Sequence, residues 1–560
     1  MEPQKQPIPT NYGALSTLVT VFFFWGFIAA GNGVFIPFCK HYFHLDQFQS
    51  QLIDFAFYGA YYLGALGLFI YTTLNGKDLV AKWGYKRSIV YGLTFSALGA
   101  IAMIIAVNGN TFGGMLIGFF IVALGFSLQQ TAANPFAISL GDPATGSNRI
   151  NLGGSINSFG TFIGPIVVAL ALFGVTKASD DQVNNLSLDK VTILYAFVCA
   201  LFLGAAALFL FSKKVPAGTS EEKTEKAGKA LKALLFMTIM LVIAFIPVFM
   251  SYKEVPVDDI AKKVIEVTRM RWLLFGLAIV LGTIFFSYAS AKKNNEGWGA
   301  MKYPQLVLGM LAIFVYVGVE VAIGSNLSEL LKQPQFGGFE ASQAAPYVSM
   351  YWGSLMIGRW AGAINVFRPE KTMKNILLFI IPLIAFGVVI AINTIAQSDM
   401  SPLYWYVICV VILILAFYAT QDKPALTLLM FSSLGALAML VGIFSEGKIA
   451  TYAFLSGGLF CSVMWPCIFS LATAGLGKYT MQGSGFLIMM ILGGGIIPPI
   501  QGKLADLLQS GNTQVGFGIH TSYWITVVCF IYLALFAFSV KNILRKQGID
   551  YDANASSSHS

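Results

Sequence analysis

Sixteen apolar stretches, each close to the length that crosses a bilayer as a helix, run through this chain of 560 residues. About 20 apolar residues span the hydrocarbon core as an α-helix, whose backbone hydrogen bonds are all internal. Charged residues make up only 11% of the chain, against roughly 25% in a soluble domain. The stretches are continuous rather than alternating, so they predict helices and exclude a membrane β-barrel. They lie at about 14–38, 50–72, 87–108, 112–138, 152–175, 191–212, 231–250, 271–290, 304–326, 345–366, 376–396, 403–419, 425–444, 450–475, 484–508 and 517–540.

A passage with a proline inside an apolar helix occurs twice. The first copy, residues 134–140 with Pro135, leads through a short polar turn to a glycine-rich helix that ends in a Gly-Pro pair. The second copy, residues 465–471 with Pro466, leads over nearly the same distance to a proline pair at 498–499. Polytopic proteins built from repeated halves are typically secondary transporters, which hold their substrate between the halves near the bilayer midplane.

The separation between matching positions increases along the chain. Tyr58 matches Trp352 at a separation of 294 residues, whereas Asn134 matches Trp465 at 331 residues. Two helices inserted into the second half, within about residues 371–422, explain the increase. Another pair of apolar stretches lies between the halves.

The sequence therefore predicts an all-α membrane protein with a core of six plus six helices and two accessory helical hairpins. An amino-terminal half covers 12–213, and a loop with the first accessory hairpin covers 214–302. The carboxy-terminal half covers 303–540 and contains the second hairpin at about 371–422, and a tail follows at 541–560. Each insertion has an even number of helices, so neither reverses the orientation of the helices that follow.

The formal net charge of +9 predicts membrane topology rather than a nucleic-acid partner. Most Lys and Arg residues fall in loops on the side of the N-terminus, including the basic loop 213–232, although the opposite segment 253–271 is a partial exception. The positive-inside rule therefore predicts that both termini are cytoplasmic. The polar first eleven residues precede an apolar stretch long enough to remain as a helix, so no cleaved leader is expected. We expect a multi-pass protein of the inner or plasma membrane, surrounded by lipid and functional as a monomer.

No motif for cofactor chemistry is present in the sequence. The six cysteines are scattered without a CxxC pair or metal-ligand spacing, and there is no ATP-binding motif, catalytic triad or haem-ligand pair. The glycines at 493–495 lie in an apolar helix, so they predict close helix contact rather than phosphate binding. We therefore expect no cofactor, no metal and no enzymatic activity, and a transmembrane gradient as the energy source.

Several passages together resemble one branch of a known transporter superfamily. They are residues 24–37, 129–136 (with Thr-Ala-Ala-Asn-Pro the most diagnostic run), 149–160, 493–499 and a degenerate loop motif at 82–87. They resemble the fucose–proton symporters and glucose/galactose transporters of the major facilitator superfamily. The resemblance extends over about 12–213, 303–367 and 425–540. It implies the major facilitator fold, alternating access and a neutral sugar such as fucose, glucose, galactose or a derivative.

A sugar presents hydroxyl groups and an apolar ring face, so its site needs amide side chains and an aromatic platform. Amides within apolar helices are uncommon without partners, because an unpaired polar group there costs several kcal/mol. The alternative is that these amides link helices, at about 0.6 kcal/mol each, and that the aromatic rings only pack. The resemblance places Asn32 and Gln130 at the family's transport positions. The candidates are Asn32, Gln129, Gln130, Asn134, Asn151, Asn157, Tyr316, Trp352 and Trp465.

The chain departs from the family's pattern in the residues that carry protons. The family's Asp in the first helix falls at Gly33 here, and its Glu in the fourth helix falls at Gln130, so both carboxylates are missing. Two other acids lie within predicted helices: Glu320, and Asp54 near a membrane boundary. Intramembrane acids are costly and indicate function. Glu320 could bind a sugar hydroxyl, carry a proton, bind sodium or pair with a basic group at a gate, whereas Asp54 could simply be solvated.

The expected mechanism is sugar import by cation-coupled symport, with sodium slightly ahead of protons because the two family carriers are missing. Glu320 and Asp54 are the candidates for coupling, and Arg359, Lys82 and Arg87 are the candidates for gating. One alternative is an uncoupled facilitator or an exporter of another small molecule. An alternative of a different class is a non-transporting membrane sensor or assembly platform.

Overall fold

The computed structural model describes residues 8–43, 47–175, 182, 187–220, 222–254, 256–420, 423–510 and 512–551. A few helical side chains, including those of 29–41, 47–52 and 54, lie outside this description. The regular secondary structure of the described residues is entirely helical. The predicted all-α class is therefore confirmed.

The amino-terminal part of the chain forms six long helices, which pack as a bundle. They are α1 (Tyr12–Tyr42), α2 (Gln47–Asn75), α3 (Leu79–Asn108), α4 (Phe112–Ser139), α5 (Gly146–Phe173) and α6 (Leu188–Phe211). α3 packs between α4 and α6, α1 lies along α5, and α2 lies along α4. We use "terminal face" for the end of the molecule where α1 begins, and "far face" for the opposite end.

Two helices form a hairpin before the second set begins, and the second set is interrupted at several points. The hairpin consists of α7 (Gly228–Ser251) and α8 (Asp259–Lys293). The following helices are α9 (Pro304–Leu331), α10 (Ala341–Ala363), α11 (Lys371–Ile395), α12 (Val407–Thr420), α13 (Pro424–Ile443), α14 (Gly447–Cys461), α15 (Met464–Thr473), α16 (Thr480–Met489), α17 (Gly493–Gln509), α18 (Phe517–Ser522) and α19 (Trp524–Lys546). Three pairs, α14 with α15, α16 with α17 and α18 with α19, each form one broken crossing.

Fourteen helical segments in the described part of the chain are long and apolar enough to cross a bilayer. The remaining two predicted stretches correspond to α1, a helix of 31 residues, and α10, a helix of 23 residues. The segment expected at 403–419 is completed by a 3-10 turn at Ser401–Tyr406 that precedes α12, which gives a span of 20 residues. All sixteen predicted stretches are therefore helical.

A buried arginine fixes the turn between α4 and α5 at the terminal face. Arg149 is 1% exposed, and its guanidinium donates to the carbonyls of Ala137, Ile138 and Asp142, each at 2.7 Å. A cation at the C-terminus of a helix satisfies carbonyls that have no intrahelical partner and interacts favourably with the helix dipole. This arrangement holds α4 and α5, which carry most of the predicted amide residues.

The two sets of helices meet at the terminal face. The Tyr12 hydroxyl donates to the carbonyl of Val366 at 2.8 Å, and the Trp360 indole N–H donates to the carbonyl of Ser155 at 3.4 Å. α5 packs along α10, and α16 packs against α2 and α4. The structure is therefore closed at the terminal face.

The first hairpin, α7–α8, contacts both sets of helices. The Tyr62 hydroxyl on α2 lies 2.8 Å from the hydroxyl of Thr238 on α7. On the other side, the Lys503 ammonium on α17 lies 2.6 Å from the Glu266 carboxylate on α8. The second hairpin, α11–α12, packs against α10, where the hydroxyls of Ser354 and Tyr406 are 2.9 Å apart.

Candidate functional site

A cavity of about 270 Å³ lies between the two sets of helices, midway along their length. Its wall includes seven of the residues predicted from sequence, together with aromatic side chains from α1 and α2. The predicted residues in the wall are Gln130, Asn134, Asn157, Tyr316, Glu320, Arg359 and Trp465. The cavity therefore combines amides, aromatic rings and two opposite charges.

An ion pair between Glu320 and Arg359 forms the charged part of the cavity. One guanidinium nitrogen lies 3.2 Å from Oε1 of Glu320, and the Tyr316 hydroxyl donates to the same oxygen at 2.8 Å. The carboxylate and guanidinium side chains are 13% and 15% exposed. Arg359 also donates to the hydroxyl of Ser158 on α5 at 2.7 Å and to the carbonyl of Ser462 at 3.2 Å. The guanidinium thus connects both sets of helices.

The repeated proline explains why the carbonyl of Ser462 accepts this bond. Proline has no N–H, so Pro466 cannot donate to the carbonyl four residues earlier. The helix breaks there, between α14 and α15, and the freed carbonyl accepts from the Nε of Arg359. A local backbone effect of the sequence thereby fixes the position of a charged side chain.

The first copy of the proline has the same local effect and a different partner. Pro135 frees the carbonyl of Thr131 within α4. That carbonyl accepts from the hydroxyl of Ser484 on α16 at 2.7 Å, and both residues are buried. The two repeated prolines therefore each create an acceptor, and both acceptors lie where the two sets of helices meet.

Three amides line the cavity and donate to protein groups. Gln130 donates to the hydroxyl of Tyr61 at 2.9 Å, and Asn134 donates to the carbonyl of Gln130 at 3.0 Å. Asn157 on α5 donates to the carbonyl of Phe22 on α1 at 3.0 Å. The two interpretations of these amides are therefore compatible, because each side chain bonds within the protein and still contributes to the cavity wall.

Three other candidates lie away from the cavity. Gln129 is buried, accepts from the Trp25 indole at 2.5 Å and donates to Ser96 at 3.0 Å. Asn151 is 3% exposed, and its side-chain oxygen has no hydrogen-bond partner among the described residues. Trp352 is 37% exposed on the outside of α10. These three side chains pack between helices or on the outer surface.

The remaining candidates give less information. The side chains of Asn32 and Asp54 lie outside the described residues. Lys82 and Arg87 are exposed at the terminal-face end of α3, and their gating role stays a prediction. Their neighbour Lys86 bonds to another helix: its ammonium donates to a backbone carbonyl at the end of α6 at 2.7 Å.

Sequence reasoning missed Ser158 and Tyr61. Ser158 lies one residue after Asn157 and one helical turn after Gly154, so helical spacing places it on the cavity side of α5. Tyr61 follows Tyr58 by three residues, which places both rings on one face of α2. Neither Gly154 nor Tyr58 was itself a candidate, so helical spacing finds the two residues only once these neighbours are known to line the cavity.

A larger cavity of about 710 Å³ lies between the inner cavity and the far face. We call it the vestibule; α2, the first hairpin, α9 and α17 form its walls, with Phe249, Asn326 and Lys503 among its lining residues. Tyr58 lines both the vestibule and the inner cavity. The ring of Tyr58 thus lies between the vestibule and the inner cavity.

The glycine run predicted to permit helix contact does so at this point. A Cβ on Gly493 would lie 1.9 Å from the carbonyl oxygen of Phe314 on α9. A Cβ on Gly494 would lie 2.7 Å from the ring of Tyr58, whereas one on Gly495 would be 3.4 Å from that ring. α17 can therefore approach α9 and α2 this closely only because Gly493 and Gly494 lack side chains.

Fourteen candidate membrane spans in the described part of the chain, around a central cavity lined by amides and charges, are the features of a secondary transporter. The fold is that of the major facilitator superfamily: a crystal structure of the transporter FucP in the outward conformation matches with a TM-score of 0.61 at 24% identity. The match covers 94% of this chain and 98% of that one. No model of a protein family matches the chain.

The relatives by sequence are transporters. A glucose/galactose transporter of Brucella abortus biovar 1 (strain 9-941) is 30% identical over 542 residues, covering 95% of this chain and 97% of the relative. A putative glucose/galactose transporter of Helicobacter pylori (strain J99) is 29% identical, covering 94% of this chain and 97% of the relative. The L-fucose–proton symporter of Escherichia coli (strain K12) is 25% identical, covering 93% of this chain and 91% of the relative. The chain belongs to this transporter family of the major facilitator superfamily, and the prediction that it is not an enzyme is confirmed.

Proposed function

We propose that this protein imports a neutral sugar together with a proton. The observation that carries the proposal is the Glu320–Arg359 ion pair in a cavity lined by amides and aromatic rings. Support for the substrate class comes from the relatives, which are named as glucose/galactose transporters and L-fucose–proton symporters. A monosaccharide such as glucose, galactose or fucose, or a derivative, is the substrate we propose.

The cavity wall offers each group that a neutral sugar requires. Gln130, Asn134 and Asn157 bring amide donors and acceptors to one side, suited to vicinal hydroxyl groups. Trp465 lies opposite, 6.2 Å from the ring of Tyr316, and offers an aromatic platform for the apolar face of a sugar ring. The charges of Glu320 and Arg359 neutralise each other, so the wall does not demand a charged ligand.

The coupling step that we propose is protonation of Glu320. The guanidinium of Arg359 already neutralises the Glu320 carboxylate, which disfavours a second cation there, so we favour a proton over the sodium expected from the sequence. A proton on the carboxylate would remove the charge that holds Arg359, while Arg359 also bonds to Ser158 on α5. Protonation would thereby loosen a contact between the two sets of helices. Glu320 would take the role of the carboxylates missing at Gly33 and Gln130.

Alternating access would follow from rocking of residues 12–213 against 303–540. The structure is closed at the terminal face and has its vestibule toward the far face, the arrangement expected for loading from that side. We assign the terminal face to the cytoplasm, because the basic loop 213–232 begins and ends there and the positive-inside rule favours this side. Both termini would then be cytoplasmic in the cell membrane. One chain encloses the whole cavity, so we propose that a monomer suffices.

Uptake into proteoliposomes tests this proposal. Radiolabelled monosaccharides would be offered under an inward proton gradient, an inward sodium gradient and no gradient. We expect one sugar to accumulate above equilibrium only with the proton gradient. Accumulation driven by sodium alone would contradict proton coupling, equal downhill flux in all three would indicate a facilitator, and binding without flux would indicate a sensor.

Glu320→Gln tests the carrier itself. We expect this variant to lose proton-driven accumulation and to retain sugar counterflow, because a neutral amide mimics the protonated state and cannot release a proton. Glu446→Gln is the control, since Glu446 belongs to the same set of helices, is exposed and lines neither the inner cavity nor the vestibule. Normal accumulation by Glu320→Gln would remove this residue from the coupling mechanism.

A further inference from the structure

A third cavity, of about 480 Å³, lies within the first hairpin and outside the transport path. It lies between the first turns of α7 and the last turns of α8, at the terminal face. Its lining shares no residue with the inner cavity or the vestibule. The side chains that characterise it are Lys229, Lys232, Phe236, Phe286, Ser290 and Trp298.

The polar groups of this hairpin cavity lack partners of their own. Lys229 and Lys232 are exposed, and neither forms an ion pair with any carboxylate in the described part of the chain. Glu225, on the preceding segment, is engaged by the Gly297 N–H and lies 3.9 Å from the Lys302 ammonium. Two ammonium groups at this cavity are therefore available to an external anion.

A buried tryptophan forms the inner wall of the hairpin cavity. Trp298 is 2% exposed and lines the cavity, and its ring lies 6.5 Å from that of Phe286. The two lysines therefore lie beside an aromatic wall rather than in open solvent.

The surroundings of the cavity are those of a surface in contact with lipid. Phe236 and Phe286, on its outer side, are 54% and 65% exposed. Further along α7, Ile239 and Ile246 are 59% and 55% exposed on a helix apolar enough to cross the bilayer. A molecule bound in this cavity would therefore contact charged donors of the protein at one end and exposed aromatic and aliphatic side chains of the protein at the other.

We propose that the hairpin cavity binds the headgroup of an anionic phospholipid from the leaflet at the terminal face. The phosphate would lie between Lys229 and Lys232, and the acyl chains would cover Phe236 and Phe286. Basic cavities between transmembrane helices at this depth suit anionic headgroups. Lys292 and Lys293 in the last turn of α8 add to the positive charge. The apolar outer wall selects a lipid over free phosphate.

Native mass spectrometry of the purified full chain tests this proposal by counting retained lipids. The protein would be delipidated and exposed to phosphatidylglycerol or to phosphatidylcholine at equal concentration. We expect retention of phosphatidylglycerol to exceed that of phosphatidylcholine, and the Lys229→Gln/Lys232→Gln variant to lower it by at least about tenfold.

The matched control removes two charges from the other end of the same hairpin. Lys262→Gln/Lys263→Gln should retain phosphatidylglycerol as the unaltered protein does. Equal retention of both lipids, or unchanged retention in Lys229→Gln/Lys232→Gln, would overturn the proposal. Binding of inorganic phosphate alone, measured by calorimetry in phosphatidylcholine nanodiscs and lost in Lys229→Gln/Lys232→Gln, would overturn it in favour of a soluble anion. None of these readouts depends on transport.

Discussion

The two copies of the helix-interior proline share their backbone chemistry and differ in what occupies the acceptor they create. In α4, Pro135 frees the carbonyl of Thr131, which bonds to the neutral hydroxyl of Ser484. Between α14 and α15, Pro466 frees a carbonyl that bonds to the guanidinium of Arg359. The repeat therefore specifies where an acceptor lies, whereas the donor beside it differs between the halves. The neutral donor links the two sets of helices, and the charged donor also pairs with Glu320.

The largest effect is expected when the charged donor is removed. Arg359→Gln leaves the Glu320 carboxylate buried without its partner, and breaking a buried ion pair costs about 3–5 kcal/mol. We expect a matching fall in the free energy of unfolding and a loss of uptake of more than about tenfold. Thermal unfolding in detergent and proteoliposome uptake measure the two effects.

The double variant Arg359→Gln/Glu320→Gln provides the control, because it removes both charges together. It should recover most of the lost stability without recovering proton-driven uptake. Arg359→Lys keeps the charge but not the planar set of donors, and we expect an intermediate loss. Full stability in Arg359→Gln alone would show that the pair does not carry the energy assigned to it.

Restoring the missing N–H tests the comparison directly. In Pro466→Ala, the new N–H competes with Arg359 for the carbonyl of Ser462, so uptake should fall about tenfold although the helix becomes more regular. In Pro135→Ala, the competitor is only the hydroxyl of Ser484, and we expect a fall of a few-fold. Uptake rates of the two variants, measured side by side, show whether the charged and the neutral donor differ in importance. Equal losses would mean that the charged and neutral donors are equivalent.

Removing the Ser484 hydroxyl, the neutral donor, should make opening of the terminal face more frequent. Ser484→Ala deletes one buried hydrogen bond, at about 1 kcal/mol, which corresponds to about a fivefold change in an equilibrium. Ser155 is 3% exposed beside Trp360, so Ser155→Cys gives a reporter that thiol reagents reach only after opening. We expect labelling of this cysteine to be about fivefold faster in the Ser484→Ala background. An unchanged labelling rate would contradict a role of Ser484 in closure.

The smallest expected effect concerns two adjacent glycines. Gly494→Ala brings a methyl group 2.7 Å from the ring of Tyr58, so the ring between the vestibule and the inner cavity must move. We expect uptake to slow by a few-fold. Gly495→Ala meets the same ring at 3.4 Å and should behave like the unaltered protein. A larger loss in Gly495→Ala would show that helix flexibility, and not contact with Tyr58, matters at this run.

The sequence predicts the fold better than it predicts the cavity wall, for a physical reason. Helices appear as long apolar stretches, and the paired prolines and Glu320 are visible because they violate the apolar pattern. Gln129 and Gln130 show the limit, since they are adjacent and only Gln130 faces the cavity. α4 is apolar nearly all round, so no hydrophobic periodicity indicates which face is inside.

Contacts between distant segments could also not be predicted from the sequence. The sequence indicates Arg359 as a candidate for gating, whereas its partners, Glu320, Ser158 and Ser462, are brought to it from three other segments by packing. Trp352 matches Tyr58 in the repeat, but it lies on the outer surface of α10. The repeat therefore predicts backbone positions more reliably than side-chain environments.

The hairpin α7–α8 has a mechanical consequence for turnover. It is attached to one set of helices by a neutral hydroxyl contact at Tyr62 and to the other by an ion pair at Lys503, which Asp506 also approaches at 2.9 Å. If the two sets rock against each other as proposed, at least one of these contacts would have to break or rearrange in each transport cycle. The hairpin would then limit how far the two sets of helices can separate.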